Sequence, residues 1–308
     1  MKCTLCHNTA VISQRCSGRH LCAAHFTEEF EQKVLETVLK GQMVQDGDRI
    51  AVAVSGGKDS TALLYVLKRI LEDKDVELFA ITVDEGIAGY RDDTMKLARK
   101  VAEDLGIRQE VVTFRDEYGF DLDRAVKDGA MPCTVCGVFR KNALNRAAKR
   151  LGAAKLATGH NLDDEAQSVV MNYMKGDMER LARFRPRRRQ PGLVPRIKPL
   201  RETPEKEVAL YGIVNGFYEE SRECPYANLS LRSDVRDMMN RLEDLFPGTK
   251  HSTLDGYERV LELAGDRWTQ KDLSSCRTCG EPCVGDLCKA CQLLGKLRKA
   301  EEQVDMDK

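Results

Sequence analysis

The chain has 308 residues, which is enough for one large α/β domain with small appendages. Its 49 basic and 49 acidic residues cancel, so global charge does not indicate a nucleic-acid binder, and any such site must be a local patch. The N-terminus is polar and shows no secretory signal, so the twelve cysteines favour metal ligation over disulfides. We expect a cytoplasmic protein without a membrane span.

The first segment, residues 1–27, carries two short metal-binding pairs separated by a loop. The four candidate ligands are Cys3, Cys6, Cys22 and His25. Three thiolates and one imidazole at this spacing predict a tetrahedral zinc site, which would stabilise a segment too small for a core of its own. Cys16 and His20 lie between the pairs at poorer spacing and are treated as spare.

A predicted helix at residues 27–45 leads to a buried strand at 51–54, a turn, and an amphipathic helix at 61–70. The turn has the sequence Ser55-Gly56-Gly57-Lys58-Asp59-Ser60. Its two glycines let backbone N–H groups converge on an anion at the positive end of the helix, and the lysine adds charge. A Walker A loop requires Ser or Thr after the lysine, whereas Asp59 follows here. The turn therefore predicts a different kind of phosphate site.

Strands and helices alternate after this turn, which predicts an α/β fold with a Rossmann-like, doubly wound parallel sheet. Further strands are predicted at residues 77–83, 109–114 and 155–158, with a helix at 90–105. Ligands of such sheets bind beyond the carboxyl ends of the strands. The residues expected there are Asp84, Gly159, His160, Asp163 and Asp164. The acids after the last strand could instead only cap a helix.

A third group of cysteines lies within this α/β region. Cys133 and Cys136 form a CxxC motif before a predicted basic helix at 138–151, and Cys224 stands alone before Pro225. The motif fits a redox dithiol, half of a zinc site, or part of an iron–sulfur site. No second CxxC lies nearby to complete a zinc site, and three thiolates leave one coordination position open. The residues alone leave dithiol and cluster as equal alternatives.

Residues 180–201 form a strongly basic segment with nine Arg and Lys residues, four prolines and no acid. We expect a mobile arginine loop that contacts a nucleic-acid phosphate backbone. Helices are predicted after it, at residues 204–218 and 229–263. The chain then carries two CxxC pairs at zinc-ribbon spacing within residues 270–300, which are Cys276, Cys279, Cys288 and Cys291. Cys283 has no partner in this pattern.

These motifs occur in one order along essentially the whole chain, and together they resemble the TtuA and NcsA-like (cytosolic thiouridylase) family of PP-loop tRNA 2-thiouridine synthetases. The resemblance rests on the turn at 55–60, the Cys133 motif, the Thr158-Gly-His-Asn-Leu-Asp-Asp-Glu run, Cys224-Pro225 and the terminal pairs. It implies a PP-loop ATP pyrophosphatase domain, residues 28–265, flanked by an N-terminal zinc finger (1–27) and a C-terminal zinc ribbon (270–300).

The resemblance also implies cofactors and the residues that hold them. A [4Fe-4S] cluster would be held by Cys133, Cys136 and Cys224, with one iron free to bind sulfide. ATP with magnesium, the latter on Asp59, would be bound by Val54, Ser55, Gly56, Gly57, Lys58, Asp59, Ser60, Asp84, Arg140, Gly159 and His160. Some members carry Lys in place of Arg140, so a phosphate contact is expected for it. The implied catalytic residues are the three cysteines, Lys58, and either Asp163 or Asp164.

The function that follows is tRNA 2-thiolation, in which ATP adenylates O2 of a uridine and sulfur then displaces AMP. The implied partners are tRNA, docked by the arginine loop and zinc knuckles, a ubiquitin-like sulfur-carrier protein, and a second copy of the chain as a homodimer. Three alternatives remain open: persulfide chemistry on Cys136 resolved by Cys224 without a cluster, a PP-loop amidating or lysidine-forming ligase, and a zinc-ribbon RNA-binding protein with little catalysis. The modified uridine, at the wobble position or in the T-loop, is not identified by the sequence.

Overall fold

The computed structural model describes residues 1–15, 17–127, 131–183, 190–219, 223–227, 231–264 and 273–306. These residues form one five-stranded sheet with a two-stranded sheet near each end of the chain. All strand pairs of the central sheet are parallel, which confirms the predicted α/β class. Within the described ranges, no helix is both long enough and apolar enough to cross a membrane.

The N-terminal segment consists of an antiparallel hairpin, β1 (Ile12–Gln14) and β2 (Arg19–Leu21), followed by helix α1 (Ala23–Lys40). The apolar face of α1 is buried, and the ring of Phe30 stacks on that of Tyr211 with 4.1 Å between centroids. The metal-ligand segment is therefore joined to the main domain through a helix that belongs to the main core.

The central sheet has a Rossmann-like strand order. Its strands are β3 (Arg49–Ala53), β4 (Glu77–Asp84), β5 (Gln109–Thr113), β6 (Lys155–Ala157) and β7 (Arg196–Ile197). They lie in the order β5-β4-β3-β6-β7, so the direction of winding reverses between β3 and β6. In this topology ligands bind at the carboxyl ends of the strands on either side of the reversal.

Helices cover both faces of the sheet. They are α2 (Lys58–Ile70), α3 (Arg91–Asp104), α4 (Phe114–Tyr118), α5 (Leu122–Lys127), α6 (Pro132–Arg150), α7 (Leu162–Met174), α8 (Met178–Arg183), α9 (Glu205–Val214), α10 (Leu231–Leu245) and α11 (Thr249–Ala264). The single helix predicted at 229–263 is two helices, because the turn between α10 and α11 contains Pro247 and a glycine, Gly248, with φ of +96°.

Alternate residues of β3 enter two different hydrophobic clusters, as expected for a strand buried on both faces. Ile50 and Val52 pack with α1, α2 and α9, whereas Ala51 packs with an aromatic group from α4 and α6 on the other side. Phe139 of α6 lies fully buried within that aromatic group. The helix that carries the CxxC motif is thus fixed to the sheet by its own core residues.

The predicted arginine loop is wrong at both ends of the basic segment, because residues 180–183 lie in helix α8. Residues 196 and 197 form the edge strand β7, and Lys198 donates to Glu165 at 2.7 Å. Arg201 is buried and pairs with Glu258 at 2.5 Å. These acids lie outside the basic segment in the sequence, so composition alone could not reveal the pairing. Arg185, Arg187, Arg188 and Arg189 lie outside the described residues.

The C-terminal segment is a small hairpin, β8 (Ser274–Ser275) and β9 (Pro282–Cys283), followed by helix α12 (Lys289–Met306). It docks on α6 through the buried Glu281, which accepts hydrogen bonds from Asn145 Nδ2 at 2.7 Å and Lys149 Nζ at 3.1 Å. Because α6 begins with the CxxC motif, this segment supports the helix that presents Cys133 and Cys136.

Candidate active site

The Ser55–Ser60 turn follows β3 directly, and Lys58 begins α2 with Gly57 as its N-cap. Gly56 has a φ of +83°, and a Cβ on it would lie 1.9 Å from the carbonyl oxygen of Thr94 on α3. Ser60 Oγ accepts from Ser55 N at 3.0 Å and donates to Gly57 O at 2.9 Å, so this hydroxyl organises the turn itself. The free N–H groups of the first turn of α2 remain as an anion site.

Lys58 lies between two carboxylates. Its Nζ is 2.6 Å from Glu205 Oε1, at the start of α9, and 3.2 Å from Asp59 Oδ2. Burial opposes the charge on Lys58, but Asp59 and Glu205 outweigh it and raise the lysine pKa above its ordinary value. Lys58 is therefore a permanent cation, and incoming phosphates would replace carboxylates around it.

The turn after β6 closes the other side of this anion site. A Cβ on Gly159 would lie 3.0 Å from the backbone of Asp59 and Ser60, so only glycine lets the two turns approach this closely. Asn161 Nδ2 donates to Asp59 Oδ1 at 3.1 Å and ties the turns together. Desolvation and the charges of Lys198 and other nearby cations lower the pKa of His160 to about 3, so its imidazole is neutral at physiological pH.

Asp163 and Asp164 have different environments. Asp163 is buried at the start of α7, where one carboxylate oxygen accepts from the ammonium of Lys250 and the other from the backbone N–H of Glu205 at 2.9 Å. Each of its carboxylate oxygens thus has a protein partner. Asp163 is therefore an anchor between α7, α9 and α11.

Asp164 forms a capping box with Asn161, and its side chain remains 33% exposed. Burial among protein atoms and the charges of Asp59 and Glu205 raise its pKa to about 6, although Arg232 at 3.4 Å opposes the shift. The capping alternative for these acids is thus correct in part, because the Asp164 side chain completes the capping box of α7, whose N-cap is Asn161. Its accessible carboxylate and raised pKa are also those expected of a group that transfers a proton.

The three cysteines of the α/β domain come together at the N-terminus of α6. Cys133 Sγ lies 3.6 Å from Tyr226 O, in the short turn that follows Cys224, and Tyr226 Oη donates to Asp123 of α5 at 2.8 Å. Burial raises the thiol pKa of both Cys136 and Cys224, and each also interacts electrostatically with Arg140. Cys224 also interacts electrostatically with Cys133 and Cys136, so three thiols from two distant segments lie near one another.

A continuous line of contacts runs from the phosphate turn to these thiols. Arg91 Nη1 donates to Ser55 O at 3.0 Å, and Arg91 Nε lies 2.9 Å from Glu85 Oε2. Glu85 Oε1 lies 2.9 Å from Arg140 Nε, and Arg140 Nη2 lies 2.7 Å from Cys136 Sγ. The phosphate turn and the thiols are thus connected through three side chains, those of Arg91, Glu85 and Arg140. Arg140 is predicted to contact phosphate, but its contacts here are with Glu85 and Cys136.

The remaining predicted nucleotide residues lie at the same edge of the sheet. Val54 is buried and donates its N–H to Ile81 O at 2.9 Å, which continues the β3 ladder into the turn. Asp84 is the last residue of β4, and its Oδ1 accepts from Gly86 N at 2.9 Å. Asp84 therefore shapes the turn that presents Glu85.

The terminal ligand sets are also brought together. The ligand atoms of Cys3, Cys6, Cys22 and His25 lie within 4.8 Å of one another, and so do the sulfurs of Cys276, Cys279, Cys288 and Cys291. His20 is not in the first set, and Cys16 lies outside the described residues. All cysteines within the described ranges are free thiols, and Cys283 Sγ donates to Gly285 O at 3.1 Å, outside the second set.

Sequence reasoning missed Glu85, Arg91, Glu205, Arg232 and Lys250. Glu85 could have been found, because it follows Asp84 at the carboxyl end of a predicted strand. Arg91 is the first residue of the next helix, α3, whereas Glu205, Arg232 and Lys250 approach the site from helices far away in the chain. No local pattern marks these four residues.

Replacing Gly56 with alanine should abolish nucleotide binding while leaving the domain folded. A methyl group there would collide with the α3 backbone and would occupy a left-handed conformation that disfavours side chains, so the turn must open. Isothermal titration with ATP measures the loss. Gly256→Ala is the matched control, because a Cβ at that α11 position meets nothing within 4 Å. ATP affinity equal to wild type in Gly56→Ala would contradict the assignment of this turn.

A glycine-rich anion turn at the reversal point of a parallel sheet defines a nucleotide-binding α/β protein of the PP-loop class. Residues 26–217 match the PP-loop domain family, and residues 2–27 match the N-terminal LIM domain of the 2-thiouridine synthetase TtuA. The chain is 38% identical to the tRNA 2-thiolation protein NcsA of Haloferax volcanii over 96% of this chain and 98% of that protein. It belongs to the TtuA and NcsA-like family of PP-loop proteins, as the sequence motifs predict.

Two further similarities extend this result. The chain is 34% identical to the tRNA-5-methyluridine(54) 2-sulfurtransferase of Pyrococcus horikoshii, over 96% of this chain and 94% of that enzyme. Its fold superposes with a TM-score of 0.84 on the U34-tRNA thiolase NcsA from Methanococcus maripaludis, solved with its [4Fe-4S] cluster, at 38% identity over 96% of both chains.

Proposed function

We propose that this chain is an ATP-dependent tRNA 2-sulfurtransferase that forms 2-thiouridine. The observation that carries the proposal is the continuous contact between a phosphate-binding turn and a three-thiol site at one edge of the sheet. A ligase that only adenylates its substrate has no need for the thiols, and a redox dithiol has no need for the phosphate turn. Replacement of an activated oxygen by sulfur needs both.

The three thiols fit a [4Fe-4S] cluster by their donor chemistry and their surroundings. Thiolates are the ligands of such clusters, and the N-terminus of α6 and the Arg140 guanidinium both compensate negative charge there. A thiolase relative is described with a cluster of this type. Cys133, Cys136 and Cys224 would hold it, and when bound it would supply an iron with an open position for sulfur.

Activation of the uridine is the task of the phosphate turn. The uridine O2 would attack the α-phosphorus of ATP, so that an O–P bond forms and pyrophosphate leaves. The N–H groups of the turn and Lys58 stabilise the departing charge. Asp59, whose pKa burial raises, would turn from Lys58 toward a magnesium ion when phosphates arrive.

Sulfur would then add at C2 of the uridine, and AMP would leave as the C–O bond breaks. Asp164 is the residue we assign to proton transfer in these steps, because its carboxyl is accessible and its pKa of about 6 is near the operating pH. Asp163, which the sequence could not separate from Asp164, is assigned a structural role. Asp84, Gly159 and the neutral His160 would line the nucleotide site.

The cations beside the site are suited to the tRNA backbone. Lys141 follows Arg140 on α6, and burial together with Arg196, Arg180 and Lys198 lowers its pKa to about 8. Repulsion among these positive charges is relieved when a phosphodiester binds.

We further propose that zinc fills both terminal ligand sets, that a ubiquitin-like carrier delivers the sulfur, and that the cytoplasmic enzyme is a homodimer. The zinc finger would span residues 1–27, the catalytic domain 28–265 and the ribbon 270–300.

Anaerobically purified protein should convert uridine in tRNA to 2-thiouridine with ATP, magnesium and sulfide, releasing AMP. Cys136→Ser should lose thiolation while retaining ATP binding, whereas Cys283→Ser, which lies outside every ligand set, should retain both. Nucleoside mass spectrometry of the product tRNA measures the conversion and maps the modified position.

The same experiment separates the alternatives. Thiolation by colourless, iron-free protein would contradict the cluster and favour persulfide chemistry on Cys136 and Cys224. ATP-dependent modification without sulfur that survives Cys136→Ser would indicate an amidating or lysidine-forming ligase. Binding of tRNA without ATP consumption would indicate an RNA-binding protein.

A further inference from the structure

The carboxylate of Glu85 lies between two guanidinium groups and has almost no contact with solvent. Its side chain is 6% exposed and that of Arg91 5%, whereas Arg140 on the other side is 49% exposed. Glu85 Oε2 and Arg91 Nε are 2.9 Å apart as an ion pair, although the angle between them is not that of a hydrogen bond. Each guanidinium lies beside a different oxygen of this buried carboxylate, so the two cations together compensate its charge.

The Arg91 end of this group holds the phosphate turn. Besides Ser55 O, the Arg91 guanidinium donates to Val83 O at the end of β4 and to Thr94 Oγ1 at 2.9 Å. Thr94 is also the residue whose carbonyl packs against Gly56. Arg91 therefore fixes the carbonyl side of the turn, and the N–H groups of the turn point away from Arg91.

The Arg140 end holds the sulfur site. Its Nη2 lies 2.7 Å from Cys136 Sγ, one helical turn earlier on α6. The electrostatic neighbours of Tyr90 are Cys224, Arg91, Glu85 and Arg140, which places the third thiol beside the same group. A carboxylate on the Nε side of Arg140 leaves the Nη groups directed at sulfur.

We propose that Glu85 is a positioning residue that sets the phosphate turn and the sulfur site relative to each other through Arg91 and Arg140. The inference rests on the proposed function, in which an adenylated oxygen and an incoming sulfur must meet at one carbon. Reaction of two bound groups depends on their separation, so a single buried carboxylate that anchors both sides would set that geometry. Glu85 touches neither substrate nor sulfur in this arrangement.

The test compares a substitution of Glu85 with one substitution of each arginine beside it. Glu85→Gln should raise the dissociation constant for ATP by roughly tenfold, the lower end of the usual effect of removing a group that orients a binding residue, and should also change the electron paramagnetic resonance spectrum of the reduced, iron-loaded protein. Arg91→Lys should change only ATP binding, and Arg140→Lys only the spectrum. Glu117→Gln is the matched control, because Glu117 also bridges two arginines, Arg146 at 2.9 Å and Arg150 at 2.8 Å, away from the site.

The outcomes distinguish the inference from its premise. If Glu85→Gln alters only one readout, or neither, Glu85 does not connect the two ends and the inference is wrong. If Glu117→Gln alters both readouts equally, the effect is general destabilisation and the inference is also wrong. If wild-type protein binds no ATP, the proposed function fails instead. If it takes up no iron, the cluster assigned to the three thiols fails. Either result is visible before any variant is made.

Discussion

Replacing Asp164 with asparagine should lower the rate of tRNA thiolation by about 10²- to 10⁴-fold, the usual contribution of a proton-transfer group, without lowering Tm. Asparagine preserves the shape of the side chain and can still cap α7, so only the ionisable oxygen is lost. Single-turnover thiolation with saturating ATP measures the chemical step. An Asp164→Asn enzyme with wild-type turnover would exclude this carboxylate from catalysis.

The pH dependence supplies a second readout on the same residue. Burial raises the pKa of Asp164 to about 6, so the carboxylate is ionised above that pH and protonated below it. If the ionised form takes the proton, the wild-type rate should fall as the pH drops through about 6. The residual rate of Asp164→Asn should not show this fall at low pH. If the fall persists in the variant, it reports the titration of another group.

Asp163→Asn is the contrasting variant, and it should reduce stability. Removing the Asp163 charge leaves the ammonium of Lys250 buried without its carboxylate, which costs about 3–5 kcal/mol of unfolding free energy. The double variant Asp163→Asn with Lys250→Met removes both charges and should recover part of the loss. Urea unfolding measures each value. A stable Asp163→Asn protein without thiolation activity would reverse the roles assigned to the two acids.

The fold could be predicted because its determinants are local. The run of small and β-branched residues before Ser55 and the glycines after it specify a strand, a turn and a helix without reference to the rest of the chain. The four ligands of each terminal metal set likewise lie close together in sequence. Edge strand β7 was not predicted, since it has two residues inside a segment whose composition favours a loop.

The electrostatics of the site could not be predicted, because its charges pair across long sequence separations. Lys58 is paired with Glu205 and Asp163 with Lys250, on helices that have no motif of their own. Adjacent acids at a helix start are equivalent in the sequence, and only the packing of α9 and α11 makes one an anchor and leaves the other accessible. The sequence predicts an RNA contact for Arg201, but the packing of α11 makes it a buried ion-pair partner of Glu258.

Removing the metal from the C-terminal ligand set should unfold that segment and loosen α6. Strands β8 and β9 have two residues each, so the hairpin has almost no core, and bound metal supplies the folding free energy of such segments, about 10–16 kcal/mol for structural zinc. Without the hairpin, Glu281 leaves Asn145 and Lys149, and the buried amide of Asn145 loses its acceptor. Metal analysis of Cys276→Ser should show the loss of one bound zinc. Hydrogen exchange should then show lost protection at residues 273–291 and faster exchange near Asn145.

Glu281→Ala separates the metal from the docking contact. This variant keeps all four thiols and should retain the zinc and the protection of the hairpin, yet it removes the acceptor from Asn145 and Lys149. Exchange near Asn145 should therefore rise in Glu281→Ala as it does in Cys276→Ser. If α6 keeps wild-type protection in both variants, the C-terminal segment does not support the helix that carries Cys133 and Cys136. If only Cys276→Ser loosens α6, the support comes from apolar contacts of the folded hairpin rather than from Glu281.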